Sequence, residues 1–370
     1  MRILIFNWRD LKHSWAGGGE IYVHELAKRW VRMGYKVTIF CGQDIEKHLS
    51  EQETYNGINI IRKGGRYSLY LWAVWYYITR FRKRFDFVVD VENGIPFFTP
   101  IFSRLPKVAF VYHVHGEQFF YELSFPVSYI GFFIERYLFP ILYRNTQVIA
   151  ISKTTKKRLE ELGFPKKNIS IVYCGINNFS KKNKISKDKF LTPTLLYLGR
   201  IKSYKRVDML IDVFSELLKK NSKLRLIIAG WGTETAYVTN LVMKSPYRRK
   251  IELMGPVSER EKKRLLSKSW IFVNLSIGEG WSIAVIESNL YGTPAVAFRV
   301  SGLSESIKHG ETGFLAKNRK ELVFLLDQLI HNRKVREVLS TNAWKWAHSF
   351  SWDDAANKSI SIIEEVVKTR

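Results

Sequence analysis

A strand, a glycine-rich turn and a helix in succession form the most constraining pattern of this chain. The apolar run 271–275 predicts a buried strand, and the stretch GEGWSIAVIESNLYGTP at 278–294 predicts a turn and a helix that ends at Gly292. Unpaired backbone N–H groups and the helix dipole favour anions at such a helix N-terminus. We therefore expect the amides of residues 280–283 to bind a phosphate.

Two carboxylates flank this predicted phosphate site. Glu279 lies in the turn, and Glu287 lies within the helix eight residues later. Their surroundings are apolar and rich in glycine, and a carboxylate in such surroundings needs polar partners. The alternative is a pair of solvated helix residues. We favour a binding role, in which the two glutamates hold hydroxyl groups of sugars attached to the phosphate.

Strands and helices alternate on both sides of a charged segment at 180–192. Buried strands are predicted at 3–6, 36–40, 87–91, 108–112, 147–151 and 169–173, and then at 195–198, 224–229, 251–254, 271–275 and 295–298. The chain has 370 residues, which is more than one ordinary core accommodates. The repeated order predicts an α/β protein of two Rossmann-like, doubly wound parallel-sheet domains.

These patterns define provisional domain limits. We assign 1–179 to an N-terminal domain, 180–193 to a hinge and 194–352 to a C-terminal domain, and we expect the helix 353–370 to pack back on the first domain. Ligands of open parallel sheets bind outside the carboxyl ends of the strands. The expected place for a site is therefore a cleft between two facing domains that close across the hinge.

Two cations follow the first predicted strand of the second half. Arg200 can hold two phosphate oxygens with its planar fork, and Lys205 adds a point charge. A solvated basic loop is the alternative. No metal site is evident in the sequence, so these cations are the candidates for balancing the charge of a bound phosphate.

Two histidines follow the predicted strand 108–112. Either histidine could contact a ligand, and the alternative of a structural histidine fits His113 better than His115. Alternate residues of a strand share one face, so the pair also has the spacing of two metal ligands, although no third ligand is evident. The run from Asp86 to Asp90 has an apolar middle and is predicted to be a strand.

A run of three glycines lies between the first predicted strand and the first predicted helix. Gly17, Gly18 and Gly19 would let the backbone approach a bound phosphate. Glu20, which follows them, is predicted to lie in the first helical turn, where the helix dipole stabilises a carboxylate.

Charge and cysteine content indicate the class of partner and the compartment. The chain carries 59 Lys and Arg against 34 Asp and Glu, a net charge of +25, which favours anionic partners. Cys41 and Cys174 lie far apart, as suits a reducing compartment. The N-terminus lacks a signal-peptide pattern, so we expect a cytoplasmic protein.

Two aromatic segments favour the surface of a membrane. The stretch 67–78 is followed by basic residues at 80–84, and 118–143 is rich in Phe, Tyr and Leu but interrupted by Glu122, Glu135 and Arg136. Neither reaches the roughly 20 apolar residues of a membrane span. We expect them to lie on an anionic membrane, and core packing with a solvated basic end is the alternative.

Several motifs together resemble those of the retaining glycosyltransferases of family 4, or glycosyl transferases group 1, which have the GT-B fold. They are Gly199-Arg200 with Lys205, Gly230-Trp231-Gly232, Glu279 with Glu287, Tyr291-Gly292-Thr293-Pro294, Gly310 to Gly313, and Gly17-Gly18-Gly19-Glu20. The resemblance covers nearly the whole chain and keeps the order of the motifs.

The resemblance implies a role for each of these residues. His115 and Glu279 would be catalytic, both at the transferred sugar, and Glu287 would bind the nucleotide ribose. Further donor-binding positions would be Arg200, Lys205, Gly230, Gly280, Trp281, Ser282 and Ile283, with Gly17, Gly18 and Gly19 as the acceptor or phosphate loop. Trp281 departs from the family, which often has Phe there.

The same resemblance implies the substrates. The donor would be a nucleotide-diphosphate sugar such as a UDP- or GDP-sugar, used without a metal or other cofactor by a hexosyltransferase-like enzyme. The acceptor would be a lipid-linked or other glycan at the cytoplasmic face of a membrane. Two rivals stay open: a GT-B epimerase or phosphorylase, and a basic nucleic-acid-binding protein, although no nucleic-acid motif is present.

Overall fold

The computed structural model describes residues 1–176, 185 and 188–369, and these form two compact units. The first unit runs Met1–Gly175 and resumes at Ser351, and the second begins at Ile176 and ends at Phe350. The limits predicted at 179 and 352 are thus a few residues too far along the chain. The predicted hinge, 180–193, lies partly outside the described residues.

The first unit contains one eight-stranded sheet. Its strands are β1 (Arg2–Phe6), β2 (Lys36–Cys41), β3 (Gln52–Tyr55), β4 (Ile58–Arg62), β5 (Phe87–Glu92), β6 (Lys107–Val111), β7 (Gln147–Ala150) and β8 (Ile169–Ile171). The order is β3-β4-β2-β1-β5-β6-β7-β8, and every pairing is parallel except that of β3 with β4. The central strands are buried on both faces, as their continuous apolar sequences predict.

Helices of the first unit follow its strands. They are α1 (Gly18–Arg32), α2 (Ser68–Tyr76), α3 (Thr99–Phe102), α4 (Gln118–Glu122), α5 (Val127–Phe133), α6 (Phe139–Leu142) and α7 (Lys153–Glu161). A π-helical turn, Tyr77–Phe81, continues α2, and a second one, Ile134–Leu138, joins α5 to α6. A 3-10 turn, Lys166–Asn168, precedes β8.

The second unit contains a six-stranded sheet that is parallel throughout. Its strands are β9 (Thr194–Leu198), β10 (Arg225–Ala229), β11 (Ile251–Gly255), β12 (Ile271–Asn274), β13 (Ala295–Phe298) and β14 (Gly313–Ala316), in the order β11-β10-β9-β12-β13-β14. Successive residues of β9 join different apolar clusters, Leu195 one and Leu196 the other, so both faces of the sheet are covered.

Helices of the second unit pack on both faces of its sheet. They are α8 (Val207–Leu218), α9 (Thr235–Lys244), α10 (Glu259–Lys268), α11 (Ile283–Leu290), α12 (Leu303–Ser306), α13 (Arg319–His331) and α14 (Arg333–Ala347), with 3-10 turns at Ser203–Lys205 and Arg248–Lys250. Ser258 is the N-cap residue of α10, and its Oγ accepts a hydrogen bond from the Glu261 N–H at 3.2 Å.

The last helix, α15 (Trp352–Lys368), belongs to the first unit and lies against α1. The indole N–H of Trp30 donates to the Ala356 carbonyl, and the ring of Trp352 meets Tyr22 edge to face. Within the described part of the chain, no helix has both the length and the apolar character needed to cross a membrane.

Candidate active site

The order of strands in the second unit reverses between β9 and β12. Strands β10 and β11 lie beyond β9, and β13 and β14 lie beyond β12. Ligands of open parallel sheets bind at this reversal, outside the carboxyl ends of the strands. The loop 199–206 leaves β9 and the loop 275–282 leaves β12, so the topology brings Arg200, Lys205 and Glu279 to one edge of the sheet.

Glu279 is held by three donors. Its Oε1 pairs with Lys205 Nζ and accepts hydrogen bonds from Ser276 Oγ at 2.9 Å and from Asn274 Nδ2 at 3.3 Å. Burial would raise the pKa of Glu279, but Lys205 and the two hydrogen bonds outweigh burial and lower this pKa. Glu279 is therefore an anion at neutral pH, fixed in place by its neighbours.

The loop that carries Arg200 depends on close backbone packing. A Cβ at Gly230, whose φ is +134°, would lie 1.9 Å from the Gly199 carbonyl oxygen, and one at Gly232 would lie 2.2 Å from that of Ile201. The Tyr197 hydroxyl donates to the Arg200 carbonyl at 2.6 Å. Gly230 thus allows the half-buried loop that carries Arg200 to pack closely against the loop 230–232.

Helix α11 begins at Ile283, and Gly280 lies in the turn that precedes it. Its N-cap residue, Ser282, makes no capping bond with its side chain; its Oγ lies 3.2 Å from Asn274 Nδ2, which donates to it. Trp281 points inward, is 6% exposed and meets the Phe350 ring edge to face. The Trp281 indole packs in the interior, so a phosphate would contact the backbone of this turn and not this side chain.

Glu287 has a different environment from Glu279. Its Oε1 pairs with Lys262 Nζ of α10 at 2.9 Å, and Lys262 also pairs with Glu259. Burial raises the pKa of Glu287, and Lys262 does not offset this effect. The pKa of Lys262 is raised as well, because Glu287 and Glu259 outweigh its own burial.

The glycine run of the first unit is engaged in local packing. The Gly17 N–H donates to Glu20 Oε2 at 2.7 Å, and Glu20 lies in the first turn of α1, as predicted. A Cβ at Gly19 would lie 2.8 Å from the Tyr112 ring, whose hydroxyl donates to the Gly19 carbonyl. Gly18 is exposed and is the glycine best placed to meet a ligand.

The two histidines after β6 differ in charge. Burial lowers the pKa of His113 to about 4, and its Nε2 lies 2.8 Å from Gln118 Oε1. Burial also opposes charge on His115, but Glu135 raises the pKa of His115 to about 9. His113 is therefore neutral and His115 cationic at pH 7, and the rings meet edge to face.

One group of side chains has the composition of a metal site. Among the described residues, Glu92, His115 and Glu135 offer ligand atoms within 4.8 Å of one another. The carboxylates already accept hydrogen bonds from backbone N–H groups, Glu92 from Gly94 and Glu135 from His115 and Gly116. This geometry suits a hydrogen-bonded cluster, and it does not include His113, the other half of the His-x-His pair.

Several contributors were missed by sequence reasoning. Asn274 and Ser276, which fix Glu279, carry a detectable signal, since they are polar residues at the end of an apolar strand. Lys262 carries none, because it is one of several charged residues along α10. In the sequence, Glu135 interrupts an aromatic segment and gives no sign of its partner, His115, which is 20 residues away.

Two families match the chain, one over each half. Residues 176–346 match Glycosyl transferases group 1, and residues 16–178 match Glycosyltransferase Family 4. The resemblance predicted from the motifs is confirmed by both matches.

Relatives match at full and at partial length. A protein of Methanocaldococcus jannaschii named as an uncharacterized glycosyltransferase is 24% identical over 98% of this chain and 97% of its own. A glycosyltransferase of Haemophilus influenzae is 31% identical over 67% of each chain. Among solved structures, Anabaena HepE in complex with UDP-glucose superposes with a TM-score of 0.76 at 17% identity, covering 100% of both chains. This likeness confirms the predicted GT-B fold.

Proposed function

The chain belongs to the family 4 glycosyltransferases, and we propose that it transfers a sugar from a nucleotide-diphosphate sugar to a lipid-linked or other glycan acceptor, with retention of anomeric configuration. The observation that carries this proposal is the arrangement at the strand reversal of the second unit. There a fixed carboxylate, a half-buried lysine and a helix N-terminus lie together. In the proposal this unit binds the donor and the first unit binds the acceptor.

The donor diphosphate is assigned to the cations after β9 and the first turn of α11. Lys205 already balances Glu279 and is 14% exposed in its side chain, so it would interact with the phosphate and the carboxylate at once. Arg200 lies on the same loop. Negative charge grows on the leaving diphosphate during transfer, and preorganised cations stabilise that charge without a metal ion. The UDP-glucose bound by HepE supports this class of donor.

The transferred sugar is assigned to Glu279 and His115. An ionised carboxylate accepts hydrogen bonds only, so Glu279 is suited to hold sugar hydroxyls near the reacting carbon. A cationic His115 is suited to donate a hydrogen bond to the same sugar. Glu287, which lies within α11, is assigned to the ribose hydroxyls of the nucleotide.

A membrane-associated acceptor is supported by the surface of the segment from α4 to α6. The buried side of α5 and its π-helical continuation contains Ser128, Gly131 and Glu135. The exposed side contains large apolar residues: Tyr129, Ile130, Phe133, Tyr137 and, on α6, Ile141. A segment with aromatic residues outside and small or polar residues inside is suited to an apolar environment such as a membrane interface.

The second aromatic segment divides between the core and the surface. Leu69, Ala73 and Tyr76 of α2 are buried, whereas Leu71 and Trp75 are exposed. The basic residues that follow are exposed as well, namely Arg80, Arg82, Lys83 and Arg84. Core packing therefore accounts for one side of this segment, and the other side adds an apolar and cationic surface suited to anionic lipid.

A donor and acceptor assay tests the proposed activity. UDP- and GDP-sugars would be incubated with a lipid extract, and the anomeric configuration of the product would be read by NMR. We expect acceptor-dependent transfer with retention that is unaffected by EDTA. Inversion would refute the retaining assignment. Turnover of the donor that needs no acceptor would favour an epimerase, and a requirement for inorganic phosphate would favour a phosphorylase.

Flotation with liposomes tests the membrane surface. We expect the protein to float with vesicles that contain phosphatidylglycerol and to float less at high salt, because the lipid charge is then screened. Replacing Phe133 and Tyr137 with Ser should reduce flotation, while the same change at the exposed Tyr237 of the second unit serves as the control. A wild-type protein that stays in the soluble fraction would refute membrane binding.

A further inference from the structure

Glu135 is a buried carboxylate whose two oxygens are directed at one short turn. It lies in the π-helical turn between α5 and α6 and is 3% exposed. Its Oε1 accepts hydrogen bonds from the His115 N–H at 2.7 Å and from His115 Nδ1 at 3.1 Å, and its Oε2 accepts one from the Gly116 N–H at 2.7 Å. The carboxylate thus fixes both the backbone and the ring of His115.

These contacts determine which nitrogen of His115 carries a proton. An ionised carboxylate accepts hydrogen bonds and cannot donate them, so Nδ1 must be protonated. Phe119 stacks on the imidazole with ring centroids 4.9 Å apart and fixes the plane of the ring. Among the described residues, the hydrogen bond of this ring is made at Nδ1, which leaves Nε2 as the nitrogen available to a ligand.

The charge of the cluster is balanced by a third member. Glu92, at the end of β5, is 2% exposed and belongs to the same group as His115 and Glu135. Burial raises the pKa of Glu92 to about 8, whereas His115 and the backbone N–H groups lower the pKa of Glu135 despite its burial. At pH 7 the cluster then holds one anion, one cation and one neutral acid.

We propose that Glu135 is a positioning residue that holds His115 as a cationic hydrogen-bond donor, with Nδ1 turned toward the carboxylate and Nε2–H presented to the transferred sugar. The sugar contact rests on the proposed function, whereas the effect of Glu135 on the ring does not. His115 therefore acts as a fixed donor near neutral pH, and it does not act as a general base.

Other titratable groups near His115 are weaker influences on its charge. Glu122 of α4 favours the cation through space, and its carboxylate accepts a hydrogen bond from Gln118 Nε2. The neighbouring His113 is itself neutral, and Arg158 of α7 acts on His113. Glu122→Gln is accordingly a matched control, since it removes a nearby negative charge but no hydrogen bond to His115.

An NMR titration tests the effect of Glu135 on the ring without an activity assay. The imidazole signal of His115, identified among the eight histidines by its loss in His115→Asn, should titrate near pH 9 in the wild type. In Glu135→Gln the pKa should fall by about 2 units or more, because burial then opposes the charge with less compensation. In Glu122→Gln it should fall by less. A His115 pKa that stays unchanged in Glu135→Gln would overturn the proposal.

The pH dependence of transfer tests the consequence for the sugar. In the wild type, kcat/KM should not vary between pH 6 and 8 through protonation of His115, because the ring stays protonated over this range. In Glu135→Gln it should decline as pH rises through the lowered His115 pKa, since only the protonated ring donates from both nitrogens. Glu135→Asp should restore part of the wild-type profile, and thermal melts establish that each variant is folded.

The two measurements separate failure of the inference from failure of the proposed function. Wild-type transfer at every pH by a Glu135→Gln protein whose His115 pKa has fallen would overturn the assigned role in positioning. A wild-type protein that uses no nucleotide sugar, with the NMR result as expected, would refute the proposed function and leave Glu135 as the residue that sets the charge of His115.

Discussion

Glu279 and Glu287 lie eight residues apart in one turn and one helix, yet the structure gives them opposite electrostatic settings. Glu279 has a lysine and two neutral donors, and its pKa is lowered. Glu287 has one lysine from a neighbouring helix, and its pKa is raised. The carboxylate that the proposal assigns to the reacting sugar thus has its charge fixed, whereas the one that it assigns to the ribose does not. This difference comes from their neighbours and is invisible in their spacing.

Removing the charge of the fixed carboxylate should have the largest effect. We expect Glu279→Gln to lower kcat for transfer by about 100-fold or more, the scale on which single preorganised polar groups contribute to catalysis. Gln keeps the size and one carbonyl acceptor but leaves Lys205 without its counter-ion, so the melting temperature should fall modestly, and a thermal melt verifies that the variant is folded. Glu261→Gln, at an exposed ion pair on α10, is the matched control. If Glu279→Gln transferred sugar at the control rate, the assigned role of Glu279 would be wrong.

The lysine beside Glu279 should come next. Lys205→Met removes the proposed phosphate contact and also leaves Glu279 without its cation, so we expect kcat/KM to fall about 10- to 100-fold. The pKa of Glu279 should rise, and activity should therefore be lost at a higher pH on acidification. Lys205→Arg keeps the charge and should retain more activity. The measurement is steady-state kinetics over a range of pH. An acid limb of the pH profile that stays at its wild-type position would contradict the prediction.

The fold was largely predictable from the sequence because most strands are apolar and some helices begin at a capping residue. Ser152, Ser258 and Ser351 are residues of the type that begins helices, and each accepts a backbone hydrogen bond at its N-cap. The strand β3 was missed because its sequence, Gln-Glu-Thr-Tyr, is that of a polar edge strand. The helix α9 was missed because its apolar residues are interspersed with polar ones.

The sequence identifies the residues of the candidate site through its motifs, but it does not identify the partners that those residues contact. Lys205 and Glu279 were identified separately, and their contact joins residues 74 positions apart. The contact of Lys262 with Glu287 and that of Glu135 with His115 were missed, because a charged residue on a helix gives no sign of which distant residue it faces. Packing of the whole domain creates these pairs, so local sequence does not contain them.

Removing the partner of the second carboxylate should have a smaller effect than removing Lys205. Lys262→Met leaves Glu287 without its ion pair, so the carboxyl should hold its proton to a higher pH and bind the ribose less well. We expect KM for the donor to rise about 5- to 10-fold with kcat nearly unchanged, the pattern of lost ground-state binding. Lys263→Met, one residue along the same helix, is the control. An equal fall in kcat would place Lys262 in the chemical step.

The pH dependence of the wild type should show the smallest effect, and it tests the difference between Glu279 and Glu287 most directly. A carboxyl with a raised pKa takes up its proton earlier as pH falls, and one with a lowered pKa takes it up later. On acidification, KM for the donor should therefore rise first, by a few-fold, as Glu287 is protonated. The fall in kcat that follows protonation of Glu279 should come at lower pH.

Glu287→Gln separates the two events. It should abolish the early rise in KM on acidification and leave the later fall in kcat in place, because Glu279 keeps Lys205, Asn274 and Ser276. Kinetics from pH 4 to 8, with circular dichroism to verify folding at the acidic end, provide the measurement. If, in the wild type, kcat fell at a higher pH than the pH at which KM for the donor rises, the roles assigned to Glu279 and Glu287 would have to be exchanged.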